Sequence, residues 1–386
     1  MSEQKPPILW PQTLMFAITF AVAAIGVPWY GFTVGLHWSQ WLAFVVILGA
    51  NGISITAGYH RLWAHNAYKA HWSLRLFYAL FGAAALQNSI LIWASGHRRH
   101  HRHVDDVEQD PYSAKKGLWF SHMGWMVRDY EAGRDDFSNS PDLMRDKIVM
   151  WQHNHYLKIA LFMNVFPAAL AGWICGDVWA GILLAGFLRL VVSHHTTFFI
   201  NSLAHFWGRQ PYTDENSARD NDILAFFTYG EGYHNYHHIF QNDYRNGIRW
   251  WHFDPTKWLI KTCSWLGLAW DLKKVPDFKI QRAIVAMQFR HAEEKLKQAK
   301  AVDVSAVTAF LEQEYQQFSA CLQEFKELSQ KTYSDKVQQL AESKERLQRR
   351  WEEVSLKSRC KELEYNLKMQ ARRLRVLTME LQASAA

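Results

Sequence analysis

The sequence predicts an all-α integral membrane protein with four transmembrane helices, a cytosolic helical cap holding a histidine-rich two-metal site, and a long C-terminal helical, coiled-coil extension. Three observations carry that expectation. Five apolar stretches fall within the first 200 of 386 residues, histidines gather in short boxes near them, and everything after Pro276 is highly charged and free of Gly and Pro.

The apolar stretches are 8–30, 38–59, 72–94, 157–175 and 178–200, each near the ~20 residues needed to cross hydrocarbon. The first is preceded by one lysine, has no small-residue cleavage site and is longer than a signal core, so it reads as a retained span. The 19 Trp, 23 Phe and 15 Tyr can belt a bilayer at both surfaces. Cys175, Cys263, Cys321 and Cys360 form no close pair, which argues against a zinc ribbon or a disulfide framework. The formal charge of +7 comes from basic residues interleaved with acids, a pattern suited to anionic lipid rather than to nucleic acid.

Nine of the 19 histidines occupy four boxes: His60 and His65; His97, His100 and His101; His205; and His234, His237 and His238. Helix positions i, i+3 and i+4 lie within about 60° of i, so each HxxHH box aims its imidazoles from one side of a helix. Asn201 and His205 share the i, i+4 relation. His60 and His65 stand about 140° apart on an ideal helix, so their pairing requires the helix to end, widen or turn between them. Neutral imidazole is the commonest metal ligand, and four ligands saturate a structural zinc. Nine therefore imply a pair of metals, with Asn201 reaching one directly or through water. Nitrogen ligands suit iron as well as zinc, so the element stays open.

These boxes can share a site only on one side of the membrane. Were all five stretches to cross, the first two boxes would be separated by ~30 Å of hydrocarbon. Stretch 72–94 contains Arg75, Gln87, Asn88 and Ser89 and is read as an interfacial or re-entrant hairpin. Residues 96–156 hold nine Lys and Arg, whereas 31–37 and 176–177 hold none, which places the boxes and both termini in the cytoplasm. Arg189, inside the last apolar span, calls for a partner within the bundle or a place near the closed end of a cavity. His194 and His195 read as hydrogen-bonding groups of the core, His103 and His122 as outer or surface residues.

Residues 1–275 thus form a membrane domain and 276–386 a helical tail rich in Glu, Lys, Arg, Gln, Leu and Ala. Leu311, Tyr315, Phe318, Leu322 and Phe325 follow 4-3-4-3 steps, and Leu340, Leu347, Trp351 and Val354 resume the seam, a coiled-coil pattern. Such a tail could self-associate, recruit a redox partner or pack back on the cap; a solvated helical hairpin is the simplest account.

The order HxxxxH, HxxHH, NxxxH, HxxHH, with "HRLWAH", "DPYSAKKGLWFSHMGW" and "GEGYHNYHH", resembles the membrane fatty acid desaturases, most of all the Δ9 acyl-CoA (stearoyl-CoA type) group, over about residues 10–272. The resemblance implies that the nine boxed histidines ligate two iron ions, with Asn201 acting through a water. It implies insertion of a cis double bond into a saturated long-chain acyl group, using dioxygen and electrons from a separate donor, a b-type cytochrome or a ferredoxin with its reductase. A saturated chain offers no polar handle, so regiochemistry must come from a kinked apolar tunnel. By the same resemblance Trp93 lies beside the chain, Gln87 and Asn88 near the tunnel mouth, and Lys115, Lys116 and Arg128 could meet headgroup phosphates. Ser95 and Gly96 stand where animal members carry a basic and an acidic residue that hold coenzyme A. An acyl chain on a membrane lipid is therefore the alternative substrate. A membrane diiron hydroxylase or alkane oxygenase is the rival enzyme, though the box spacing favours desaturation. A membrane-anchored metal-binding coiled-coil scaffold is the reading without catalysis.

Overall fold

The computed structural model describes residues 5–298, 304–338 and 346–384. Four helices are long and apolar enough to cross a membrane: Trp10–Thr33, Trp38–Ala64, Tyr156–Ile174 and Val178–Phe206. Exposed Trp29, Phe32, Trp38, Trp173 and Trp179 cluster where the first and third spans end and the second and fourth begin. That is the aromatic belt expected at one bilayer surface. Tyr30 donates to Asp177 (2.7 Å) across the same end. Gly172 and Gly181 bring the third and fourth spans together backbone to backbone; a Cβ on either would overlap the other helix.

Two spans run longer than the hydropathy pattern indicated. The second continues to Ala64 and the fourth to Phe206, and each carries a histidine box on its extension. From Ser54 to Ala64 the second helix is wound as a π-helix, and the His65 amide closes an i→i+5 bond on the His60 carbonyl (3.1 Å). The wider turn is what brings residues five apart onto one face. Of the three options the spacing required, the helix widens.

Residues 72–94 do not form a spanning helix. Trp72–Ala83 is 12 residues, only about 18 Å long. The chain then turns through Leu86 (φ 49°) and Asn88 (φ 74°). Ser89 accepts from the Ile92 amide (3.4 Å) to cap a new helix, Ile90–Arg102, which runs past the apolar stretch and carries the second box. Arg189 is wholly buried and donates to the Ala185 carbonyl (3.1 Å), the Ala84 carbonyl (2.7 Å) and Asn164 Oδ1 (2.7 Å). Its partner within the bundle is thus a set of neutral oxygens.

The rest of this part of the chain is built of short helices, among them Lys147–Asn154, His234–Ile239 and Pro255–Trp265. A two-stranded antiparallel ribbon, Lys69–Ala70 against Ala269–Trp270, ties the exit of the second span to the end of this domain. Tyr229 packs on the second span at Gly52, where an added Cβ would overlap its ring, and donates to the Leu48 carbonyl (3.2 Å). Gly52→Ala is expected to displace that ring and lower stability by about 1–3 kcal/mol, measured as a fall in thermal midpoint in detergent.

Two compact units are present, Met1–Gln210 with Asp214–Lys274, and Pro211–Thr213 with Val275–Ala386. In the second, Asp277–Gln298, Val304–Gln338 and Arg346–Ser384 pack on one another as three helices rather than a two-helix hairpin. Phe318 is buried, and Arg359 pairs with Glu324 (2.8 Å). Val354 is 62% exposed, while Leu363 and Leu367 are buried, so the last helix buries a stretch beyond the one the heptad count chose. Leu340, and the side chains of Leu311, Tyr315, Leu347 and Trp351, lie outside the described residues.

Candidate metal centre

The nine boxed imidazoles meet in two groups. His60, His65, His97, His101 and His237 form one; His100, His205, His234 and His238 form the other; within each, the ligand nitrogens lie within 4.8 Å of one another. Each HxxHH box is divided: His97 and His101 go to the first group and His100 to the second, while His234 and His238 go to the second and His237 to the first. The i+3 and i+4 side chains of a helix diverge by about 100°, wide enough to address two ions rather than one.

The donor set fits metal ions. Nitrogens bound to one ion at about 2.1 Å can be no more than ~4.2 Å apart, close to what each group provides. His237 Nε2 faces both His60 Nε2 (2.9 Å) and His101 Nε2 (2.9 Å), and His65 Nε2 faces His97 Nε2 (2.9 Å). Protons cannot satisfy all these facing lone pairs, whereas a cation between them does. Three of the opposite ring nitrogens are held by acceptors that fix the tautomer. His60 Nδ1 meets Glu231 (2.8 Å), His100 Nδ1 meets Asp110 (2.9 Å), and His205 Nδ1 meets Ser217 Oγ (2.8 Å), which in turn donates to Asp105 (2.5 Å). A proton on Nδ1 leaves the Nε2 lone pair for the metal.

Glu231 also accepts from Arg61 Nη2 (2.8 Å) and Asn246 (2.6 Å), and Arg61 pairs in addition with Asp254 (3.0 Å). Burial opposes ionisation of Glu231, but His60 and Arg61 outweigh it and draw its pKa down to about 2. Burial, followed by mutual repulsion, holds His65, His97, His101, His234, His237 and His238 well below the usual 6.5. Unfolding releases these rings to take up protons near pH 6.5, so metal-free protein is most stable above that pH and loses stability as the pH falls. The thermal midpoint of metal-stripped protein should drop steadily from pH 7.5 to 5.5.

A cavity of ≈ 360 Å³ is lined by His60, His97 and His234, by apolar Met15, Phe16, Ile55, Ile92 and Phe198, and by polar Arg99, Arg128, Arg134 and Asp129. Trp93, Gln87, Asn88, Asn201 and Arg128 line it, as do Ser95 and Gly96. Trp93 stacks on His97 (4.9 Å between centroids), and Gln87 donates to Thr197 Oγ1 (3.0 Å). Lys115 and Lys116 do not line it; Lys116 instead sits over the ring of Phe120 (5.0 Å) and over that of the lining residue Tyr130 (5.6 Å), whose aromatic faces hold its ammonium. His194 bonds the Ala85 carbonyl (2.7 Å), and His195 bonds His122 (3.0 Å), both apart from the two groups.

Residue spacing did not single out Arg61, Glu231, Asp110 or Ser217. All but Ser217 lie inside the quoted motif stretches, and that adjacency was the available signal.

A helical protein with four membrane-capable spans and two imidazole cages beside one cavity defines a class, the histidine-box membrane proteins. This chain belongs to the fatty acid desaturase family, whose model matches residues 36–271. It is 43% identical over 281 residues to acyl-CoA desaturase 1 of Saccharomyces cerevisiae, covering 71% of this chain and 55% of that protein. It is 39% identical over 241 residues to human stearoyl-CoA desaturase 5 (61% and 72%). It is 34% identical over 277 residues to the sn-2 palmitoyl-lipid 9-desaturase of Nostoc sp. (69% and 90%). The chain spans about half the length of its two yeast relatives, 55% and 54%.

Proposed function

We propose that the protein is an oxygen-dependent Δ9 fatty acyl desaturase acting on a saturated long-chain acyl-CoA. The observation that carries this reading is the cavity lined both by apolar side chains and by His60, His97 and His234. The nine boxed histidines would hold two irons, the group of four joined by Asn201 through a water. With dioxygen and two electrons from a separate donor protein, the bound irons supply an oxidant able to take hydrogen from an unactivated methylene.

The chain's own residues bind and orient the substrate. Met15, Phe16, Ile55 and Phe198 exclude water from the acyl chain; Trp93, braced against His97, limits where a methylene can lie. The Gln87–Thr197 hydrogen bond ties the 84–89 turn to the fourth span at the cavity wall and so holds the two sides of the acyl site together. Asn88 and Arg128 at the polar side receive the headgroup end. Loop charge supports a cytoplasmic site, and the 276–386 unit a cytosolic helical tail.

An acyl-lipid substrate is the second reading. Ser95 is turned to the Asp136 carbonyl and Gly96 borders open space, so neither offers the charged contact to coenzyme A made in animal members. Expression in a host without its own unsaturated fatty acids tests both. Δ9 monoenes and restored growth are expected, and purified enzyme with a reducing system should convert stearoyl-CoA directly. Conversion only of lipid-esterified chains selects the second reading; hydroxylated chains or unchanged lipids overturn desaturation.

A further inference from the structure

The cap carries an exposed apolar face that the catalytic reading does not use. Phe226 and Phe227 are each 58% exposed on the short helix Asp222–Phe227, and Trp251 and Trp265, later in the chain, are 57% and 74% exposed. Phe226 contacts Phe227 (5.3 Å) and Phe253 (4.8 Å), and Phe253 contacts the half-exposed Trp258 (5.5 Å), so these four rings form one continuous surface.

Depth along the second span says what covers it. The segment that follows Phe227 packs on that span through Tyr229, at Gly52 and the Leu48 carbonyl. Thr256, two residues before Trp258, bonds Thr56 (2.7 Å) and the Tyr229 carbonyl (2.8 Å). Counted from the belt residue Trp38 at 1.5 Å per residue, Gly52 and Thr56 lie about 21 and 27 Å along the helix, inside a hydrocarbon layer of ~30 Å. The rings flanking Tyr229 and Thr256 are therefore anchored at acyl-chain depth, not above the membrane. At the margins, Arg249 sits over Trp251 (5.2 Å) and Lys261 over Trp265 (5.7 Å). A tryptophan with a cation at its face suits the headgroup zone.

We propose that this face is a membrane-embedded foot. Phe226, Phe227 and Trp258 rest among the acyl chains of the leaflet into which the second span opens, and the Arg249–Trp251 and Lys261–Trp265 pairs rest among its anionic headgroups. The foot pins the cap, and with it the His234–Ile239 helix, to the bilayer surface from which an acyl substrate arrives. The proposal rests on the four helices crossing the membrane, not on desaturation.

The test is collision of site-directed nitroxides with oxygen and with a water-soluble nickel chelate, in full-length protein reconstituted into phosphatidylcholine–phosphatidylglycerol vesicles. Labels are placed by Phe226→Cys, Trp258→Cys or Trp251→Cys after the native cysteines are replaced. Exposed positions in the third span (Leu161→Cys) and on the cap (Glu108→Cys) serve as lipid and water references. The expected result is an oxygen-to-chelate ratio at 226 and 258 several-fold above that at 108 and near that at 161, with 251 between them. Ratios at 226 and 258 equal to that at 108 overturn the foot and leave the face open to a protein partner. A water-like ratio at 161 removes the spanning helices and the foot with them.

Discussion

Replacing His237 with alanine is expected to empty the first cage and abolish product formation. His237 is 1% exposed, and its Nε2 faces both His60 and His101 at 2.9 Å, so it joins the span-two box to the helix Ile90–Arg102 box. Alanine leaves a hole where those two nitrogens converged, and the remaining rings of that group lose their common vertex. Activity should fall by more than the ~100-fold that loss of an outer partner of a ligand costs. Metal content should fall from about two ions per chain to one or fewer, since the second group shares the helix His234–Ile239. His155→Ala, on an exposed ring bonded to the Trp151 carbonyl, should leave both unchanged. Iron analysis and product analysis on the two variants together check the prediction; an H237A protein with full metal and full turnover would refute it.

The second large effect is expected at Glu231. This carboxylate is 2% exposed and joins His60 to Arg61, Asn246 and, through Arg61, Asp254. Glu231→Ala leaves a buried guanidinium with one anionic partner instead of two and frees the Nδ1 proton of His60. Breaking a buried pair in this way costs about 3–5 kcal/mol, and loss of the ligand's orienting partner lowers metal affinity ~10–100-fold. Glu231→Gln retains an oxygen that can accept from His60 Nδ1 but carries no charge. It should therefore preserve most of the metal affinity while losing stability. Chelator competition and thermal unfolding separate the two contributions; equal metal affinity in wild type and Glu231→Ala would show that His60 needs no carboxylate.

Some of this architecture was readable without coordinates because it depends on local periodicity. The apolar lengths define four crossings, and Arg75, Gln87, Asn88 and Ser89 disqualify 72–94 because a short polar-interrupted stretch cannot satisfy itself in hydrocarbon. The five-residue interval from His60 to His65 demanded a departure from α-helical winding, and a π-helix over Ser54–Ala64 provides it. The heptad count in the tail was less informative: a 4-3 repeat marks an apolar seam on a helix but not which neighbours cover it, and three helices share the packing in place of two.

What the sequence determined by itself was the set of donors and the helices that bear them, since box spacing and hydropathy are properties of single helices. What only the tertiary structure decided was how those donors divide, five with four, and which outer groups hold them. His60 and Glu231 are 171 positions apart and His97 and His237 are 140 apart; no local pattern couples such residues. They meet because the second span, the Ile90–Arg102 helix and the His234–Ile239 helix bury one another at the membrane exit, and buried imidazoles must then find a proton acceptor or a cation.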